Sequence, residues 1–466
     1  MTRVLLAYDP LITHFVSTAS EFNICFKELT CGDKAQLHCT GMSVEAQDYA
    51  CKATGLSQSI KKGPFSVMLL CDAQIQNTRK VRMESNIGQV VNLGSLYDRF
   101  GRLKDKRKAK GKRYALATIL VGMFLAKLCG EDKPSGIAEW VALRGEWLAS
   151  VLGLKRKSMP SHHTYRRTLG DTVDVEEFEA LVREHHRYCG EAGYLVVVAM
   201  DGKVIRGTID LDVSDGLCLL AIYLPGEGVT LAQMAIESKQ NEITAAPILL
   251  NYVDLRNKVV IGDALHTQRQ VSIQIGKAGG NYIWTVKGNQ PQLLQDLQDW
   301  FDPNMPMLPG MGCPPKDFRS ATVTSKGHGR IEVRTLTTSS QLNDFLDWPF
   351  LLQVFQLKRT ITVSKTNKTH QEIVYGVTSL SSDQASPLQL LQMLRSYWHI
   401  ENRLHYPRDV TLHEDQTRFK KCSAAHCMAI LNNLVLAVLA NSDFPFIPSA
   451  RRFFAAFPEK ALAHLL

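Results

Sequence analysis

No run of about 18 uninterrupted apolar residues occurs in this 466-residue chain, so a simple membrane-spanning helix is not expected. The nearest approach, YALATILVGMFLAKLC at 114–129, is short and contains Lys127; it reads as a buried amphipathic helix. The chain does not open on a basic segment followed by an apolar core and a small-residue cleavage site, so no secretory signal is expected. The eleven cysteines are odd in number, irregularly spaced and without a single Cys-x-x-Cys pair. That pattern argues against a disulfide scaffold and fits a reducing, cytoplasmic compartment. Five of them (Cys25, Cys31, Cys39, Cys51 and Cys71) fall before residue 72, with His38 beside Cys39. Lacking metal-ligand spacing, they read as free thiols rather than a structural zinc site. No internal repeat is visible.

What is present is ordinary in bulk and uneven in detail. The apolar share of 45% is that of a water-soluble globular protein, and the length predicts two or three domains. A formal charge of +9 is weak evidence for a polyanionic partner. Its placement says more: RFGRLKDKRKAKGKR at 99–113 holds nine Lys/Arg against one Asp. This is either a solvated linker or a segment that contacts phosphates, through Lys106, Arg107, Lys108 and Lys110 among others.

Along the chain, residues 1–90 mix short strand-like runs (TRVLLAY, FSVMLLC) with turn residues and predict a small α+β module of unknown role. Residues 91–190 turn helical, with helices predicted at 114–129, 134–152, 161–170 and 175–188. In the third, Ser161 after Pro160 is an N-cap signal. Tyr165 and Leu169 share a face there, and Arg166 and Arg167 lie off it. Short helices with a basic last member fit a helix-turn-helix-like DNA-binding domain or, equally, a plain helical bundle. From 191 to 310 the period changes to β-β-β-α-β-α-β, which describes a mixed sheet covered by helices. Residues 311–383 form a β-rich insertion, and 384–466 return to helices at 386–405 and 421–441.

The opening chemical signal is VVVAMDGKVIRGT at 196–208, an apolar run that ends in Asp201. A second such run, VVIG, ends in Asp263. If the two strands are neighbours, their ends lie about 5 Å apart, and two ionised carboxylates so close need a cation. A third acid follows from helix arithmetic: Leu390, Leu394, Tyr397, Glu401 and Leu404 recur at steps of three and four, which places Glu401 on the inward stripe. Taken alone it would be a buried acid paired with Arg395 or Arg408. Convergent with the aspartates, it completes an oxygen-only set suited to Mg²⁺ and phosphate oxygens.

Several ordered motifs carry a resemblance: DGKVIRGT, NEIT at 241–244, GDALHTQ, YIWTVKGNQPQL, GHGRIEVR and WHIENRLHYPRDVTLHED. Over roughly 91–440 the chain resembles the DDE transposases of the H-repeat-associated (ISAs-type) insertion-sequence family. The segments GKRYALATIL, IAEW and PSHHTYRRTL look like the domain that precedes the core in that family. The resemblance implies an α/β fold: a ribonuclease H-like catalytic core with a β-rich insertion, preceded by a helical DNA-binding domain and the small N-terminal module. It implies that Asp201, Asp263 and Glu401 are the catalytic and metal-binding triad. Two Mg²⁺ ions, with Mn²⁺ as substitute, would act on double-stranded DNA at element ends and target. A homodimer in a synaptic complex and a bacterial cytoplasmic, nucleoid-associated setting without a membrane are implied as well.

Candidate phosphate contacts are Lys203, Arg206, Lys287 and Arg408, with Arg330 and Arg334 in the insertion. His266 and His405 stand beside acids as hydrogen-bond partners rather than ligands. Asp210, Asp212, Asp409, Glu414 and Asp415 are competing acids, Asp409 and Asp415 reading as local caps or salt-bridge partners. The wider group carries Tyr-x2-Arg-x3-Glu-x6-Lys around its last acid. Here Leu394 and Tyr397 hold the first two places and Arg408 the last, after Pro407, which should end or kink the helix. Two rivals remain at this point: a non-catalytic DNA-binding relative, and a nuclease without strand transfer.

Overall fold

The computed structural model describes residues 96–186, 195–209, 216–236, 241–303, 316–417, 419 and 421–464, together with the backbone of two short strands, β1 (Gln36–His38) and β2 (Ser66–Met68). The chain divides into two units, Met1–Ser85 and Asn86–Leu466. In the first, β1 and β2 pair antiparallel, with β2 inside the run FSVMLLC. The run TRVLLAY, the five early cysteines, Asp210 and Asp212 lie outside the described residues.

The second unit opens with helices α1 (Leu96–Arg102), α2 (Leu116–Leu128), α3 (Pro134–Leu143), α4 (Gly145–Val151), α5 (His162–Arg167) and α6 (Val175–His185). Every residue of α2 is buried, as its all-round apolar sequence requires. The helix expected over 134–152 is two helices: the backbone leaves helical geometry at Arg144 (φ −109°, ψ 18°) and α4 starts at Gly145. Ser161 occupies the N-cap of α5, but its side chain accepts no capping hydrogen bond. Tyr165 and Leu169 are buried and Arg166 and Arg167 exposed, as the stripe predicts. Asp174 caps α6, accepting from the Glu177 backbone N–H at 3.1 Å.

A nine-stranded mixed sheet follows. Its strands are β3 (Val196–Ile205), β4 (Leu217–Leu224), β5 (Val229–Ile236), β6 (Lys258–Gly262), β7 (Asn281–Val286), β8 (Arg319–Gly327), β9 (Arg330–Ser339), β10 (Gln353–Val363) and β11 (Thr369–Thr378), in the spatial order β5-β4-β3-β6-β7-β11-β10-β9-β8. β3, β6 and β7 run parallel; the other neighbours are antiparallel. β6 is buried along its whole length, as a central parallel strand must be. The β-rich stretch prolongs this same sheet through the β7–β11 pair. GHGR closes the β8–β9 hairpin with His328 and Gly329 both at positive φ (50° and 71°), the backbone a two-residue hairpin loop requires.

Helices α7 (Glu242–Leu250), α8 (Arg269–Lys277) and α9 (Pro291–Phe301) cover one face, burying Ala245, Leu249, Val271, Ile275 and Leu297 against Val198, Met200 and Val260. The opposite face takes α10 (Pro387–Ile400) and α11 (Cys422–Ala440), with α12 (Ile447–Ala456) and α13 (Pro458–Leu462) beyond them. Phe100, Phe124, Tyr165 and Phe178 of the first helices share one apolar cluster with α11 and with Ala199, Leu219 and Tyr223 of the sheet. α11 is the one helix among the described residues long and apolar enough to cross a membrane, and 89% of its apolar window is buried.

A polar seam runs through this second layer. Gln233 of β5 donates to Glu179 of α6 (2.9 Å), which also meets His426 of α11 (2.9 Å). Arg408 and Asn433 donate back to Gln233 (3.2 and 3.0 Å). Arg408 also lies 2.8 Å from Glu414, and Asn432 donates to the same carboxylate. Arg408 is 0% exposed. Removing one partner of a buried ion pair leaves an uncompensated charge. Arg408→Ala is therefore expected to lower unfolding free energy by about 3–5 kcal/mol, measured by urea denaturation. An Arg408→Met/Glu414→Gln double variant should recover most of that loss.

Candidate active site

The two aspartates are placed by strand register. β3 and β6 run side by side with Met200 opposite Gly262, so Asp201 and Asp263 are each the next residue on. There β6 ends, while β3 continues to Ile205 against β4. Side chains alternate across a strand. Asp201 thus shares the face of Ala199, and Asp263 that of Val259 and Ile261, both directed to the α10–α11 layer. The carboxyl ends of parallel strands form the crevice where α/β sheets bind ligands.

Glu401 arrives from that layer. α10 starts at a capping box between Ser386 and Gln389 and buries Leu390 and Leu394. At Glu401 the helix widens into two π-type turns, Glu401–His405 and Pro407–Thr411, a local form common at functional sites. Pro407 has no N–H to donate, and it sits in this widened stretch rather than in a regular helix. The expectation that Glu401 is buried on the inward stripe is corrected in part: four residues after Tyr397 it faces Asp201 as Tyr397 does, but its side chain is 55% exposed.

Asp201, Glu401 and His405 come together, one ligand atom from each lying within 4.8 Å of the others. His405 Nδ1 lies 3.2 Å from Glu401 Oε2 and 3.6 Å from Asp201 Oδ2, so the imidazole bridges the two acids. Tyr397 Oη donates to Asp201 Oδ1 at 3.3 Å. His405 was expected as a partner of the acids; its nitrogen stands among the donors themselves. Two carboxylates and one nitrogen fit a hard divalent ion with an additional imidazole ligand. Asp263 accepts from the Leu265 backbone N–H at 3.0 Å and stands just outside this cluster, half exposed. Sequence reading passed over Glu242, the first residue of α7, whose carboxylate packs on Gly202 so closely that a Cβ there would lie 2.2 Å from Oε1. The motif NEIT contains it, but nothing in that spacing marks it as an acid of this pocket.

The electrostatics follow. Burial raises the Asp201 carboxyl to about 6, His405 opposing and the charges of Glu242 and Asp263 adding to it. The hydrogen bond from His405 holds Glu401 below the usual carboxylate range against its partial burial, helped by the charges of His405 and Lys203. Burial and the charge of Asp201 push the Tyr397 phenol up, so it stays a donor.

The expected cations divide. Arg206, Lys287, Arg330, Arg166, Arg167, Lys106, Lys108 and Lys110 are exposed. Lys106 rests on Asp174 at 2.8 Å and Arg330 on Glu332 at 2.6 Å. Arg107 is held by Asp105 and the Tyr114 carbonyl, and Arg334 by Glu332. Two expectations are corrected. Arg408 is sealed in the polar seam and presents nothing to a phosphate. Lys203 is buried and gives both Asp409 oxygens a hydrogen bond at 2.7 and 2.6 Å. The Arg206 backbone N–H donates to Asp415 at 2.9 Å, so these two contacts clamp β3 to the turns that carry Glu401.

A carboxyl raised in the fold costs stability once ionised. For Asp201 the cost is absent below the unfolded value near 3.8, grows between 3.8 and about 6, and is complete above that. Asp201→Asn, neutral at every pH, is expected to stabilise the metal-free protein at pH 8 by about 2–3 kcal/mol. It should leave it unchanged near pH 3.5, with urea midpoints in chelator as the measure.

Comparison with known proteins places this geometry. The family model described as "Transposase DDE domain" matches residues 195–438, and the one described as "DDE_Tnp_1-associated" matches 97–186. In Escherichia coli K12, "Putative protein YbfL" is 26% identical over 369 residues, 78% of this chain and 94% of that protein. The "H repeat-associated putative transposase YhhI" of the same strain is 25% identical over the same shares. "Putative transposase YncI" of Escherichia coli O157:H7 is 27% identical over 75% of this chain and 88% of its own length. A cryo-EM structure of the piggyBac transposase synaptic complex with hairpin DNA covers 79% of each chain at 9% identity, with a TM-score of 0.36, too low to bear on the fold. With the associated helical region, the sheet-end acids and the helix-borne Glu401 all inside matched segments, the chain belongs to the DDE transposases of the H-repeat-associated insertion-sequence family.

Proposed function

We propose that this protein cleaves DNA at the terminal inverted repeats of an insertion sequence and joins the freed ends to target DNA, with Asp201, Asp263 and Glu401 as its catalytic acids. The observation that carries this reading is the meeting of Asp201 and Glu401 with His405 at the carboxyl ends of two parallel strands. Strand order β5-β4-β3-β6-β7, with an antiparallel meander leading into parallel strands, supports a ribonuclease H-like core, here extended by β8–β11 as the insertion. The region 91–190 serves as the DNA-binding domain, and residues 1–90 are a separate module.

Asp201, Asp263 and Glu401 would hold two Mg²⁺ ions, or Mn²⁺ in their place. Such ions polarise a phosphoryl oxygen and lower the pKa of a bound water or hydroxyl. The chain's own residues prepare the site. Tyr397 and His405 fix the direction of the Asp201 carboxylate, and His405 keeps Glu401 ionised. The Lys203–Asp409 and Arg206–Asp415 contacts hold the Glu401 turns against β3. Exposed Lys106, Lys108, Lys110, Arg166, Arg167, Arg206, Lys287 and Arg330 offer phosphate contacts, whose contribution falls as salt rises. Direct attack by water or a 3′-hydroxyl needs no Ser or Tyr nucleophile. A second copy would bring the second end into a synaptic complex, in the cytoplasm that the cysteine pattern favours.

The test is strand cleavage and strand transfer on a duplex carrying the element's end, with Mg²⁺ or Mn²⁺. Wild type should yield both products. Asp263→Asn should lose cleavage by on the order of 100-fold or more, about 2.7 kcal/mol at 1.36 kcal/mol per decade, while binding the duplex unchanged. A wild-type protein that binds but does not cut would support a non-catalytic relative, and hydrolysis without joined products a nuclease.

A further inference from the structure

One carboxylate of the insertion gathers more arginine than it can neutralise. Glu332 of β9, its side chain 6% exposed, meets Arg330 at 2.6 Å, Arg359 of β10 at 3.1 Å and also Arg334. Arg334 donates further to Ser325 Oγ at 3.2 Å, and Arg359 lies 3.6 Å from Glu372 of β11. Register sets Arg334 and Arg359 directly opposite each other, a like-charge pair that opposes strand pairing. The buried Nε of Arg359 has no acceptor.

This cluster lies on the face of the sheet that carries the catalytic acids. Alternation along β9 and β10 groups Arg334 and Arg359 with Leu336 and Leu357, which pack in one cluster with Leu390 and Leu394 of α10. α10 touches β8 and β9 and also β3, where Tyr397 meets Asp201. It contributes a fourth cation, Arg395, exposed and without an acid partner among the described residues. Burial holds the Arg334 guanidinium below the usual arginine range against the pull of Glu332, and the charges of Arg395 and Arg359 add to the effect. Four guanidinium groups thus stand against the carboxylates of Glu332 and Glu372. The surplus suits an anion, and planar guanidinium forks match phosphate oxygens. Arg395 precedes Glu401 by six residues, about 9 Å along a helix.

We propose that Arg330, Arg334, Arg359 and Arg395 form a phosphate-binding cradle, organised by Glu332, that grips the DNA strand beside the catalytic acids. At about 3.4 Å per nucleotide along the duplex axis, the gripped phosphate lies about two to three nucleotides from the bond to be cut. The cradle rests on the DNA-cleaving reading above and gives the insertion its part in it. Glu332, buried beneath the forks, offers no surface to DNA and acts by holding the arginines in place.

The test is binding of the full-length protein, in chelator, to a duplex carrying the element's end and its flank. Single phosphates around the cleaved bond are replaced by neutral methylphosphonates, and the protein variants are Arg395→Ala, Arg359→Ala and Glu332→Gln. Arg395 is exposed, so its truncation leaves the fold intact. Wild type should lose about tenfold in affinity at one neutral phosphate two or three nucleotides from the cut. Each arginine variant should bind the unmodified duplex about tenfold more weakly, with the slope of log K against log salt reduced by about 1. The same neutral phosphate should then cost these variants nothing further, as expected for one shared contact. Glu332→Gln keeps every arginine; it should keep the salt slope and lose the sensitivity to that phosphate. Unchanged binding and slope in Arg395→Ala and Arg359→Ala overturns the cradle and leaves the cleavage reading standing. Full additivity of the arginine losses with every neutral phosphate near the cut overturns it equally, and sensitivity retained in Glu332→Gln overturns the role of Glu332. Wild type that neither binds nor cuts the unmodified duplex overturns the cleavage reading, and the cradle with it.

Discussion

Repulsion among carboxylates at the ends of β3 and β6 is the constraint that the rest of the molecule answers. Two parallel strands in register deliver Asp201 and Asp263 side by side, and a helix from another layer adds Glu401. Such an arrangement is unfavourable in an isolated fold: Asp201 is driven toward its neutral form by burial and by neighbouring acids. It persists because the surrounding structure over-determines it. The strands are buried on both faces and cannot slip register without turning apolar side chains to water.

The Glu401 arm is the less secure half, and it carries most of the special devices. The regular helix carries Tyr397 and Glu401 to the same face, and two wide turns follow, the first of which brings His405 beside Glu401 and Asp201. Those turns are held at both margins. On the solvent side Lys203 and the Arg206 backbone pull Asp409 and Asp415 onto β3. On the inner side Arg408 anchors the same segment to Glu414 and, through Gln233, to Glu179 of α6. One chain of polar contacts therefore connects the first helices, which carry exposed Arg166 and Arg167, with the segment that presents an acid to DNA.

Much of this was legible in the residues. Apolar runs ending in Asp201 and Asp263 announce buried strands, and their pairing in the sheet agrees with the mixed order read from the pattern. The ordered motifs named the family that the comparisons then established. The failures have physical causes. Helical periodicity assumes 3.6 residues per turn, so it could not anticipate the widened turn after Ile400 that carries His405. A lone arginine in sequence looks like surface charge, and only the fold reveals that Arg408 has Glu414 and Gln233 as buried partners. The four strands from 319 to 378 were readable as strands, but a strand's neighbours are long-range facts, and these extend the main sheet. Glu242 sits 41 residues after Asp201 and 21 before Asp263 in the chain, and its carboxylate packs on β3 only because Gly202 leaves room for it.

The central claim is that residues 201, 263 and 401 surround one site for divalent metal. Replacing the metal with Fe²⁺ and adding ascorbate and peroxide generates hydroxyl radicals at the ion, which cut the polypeptide backbone nearby. The account predicts breaks clustered at these three positions, suppressed by excess Mg²⁺ and absent in Asp201→Asn. Breaks scattered over the chain, or concentrated elsewhere and indifferent to Mg²⁺, would contradict it.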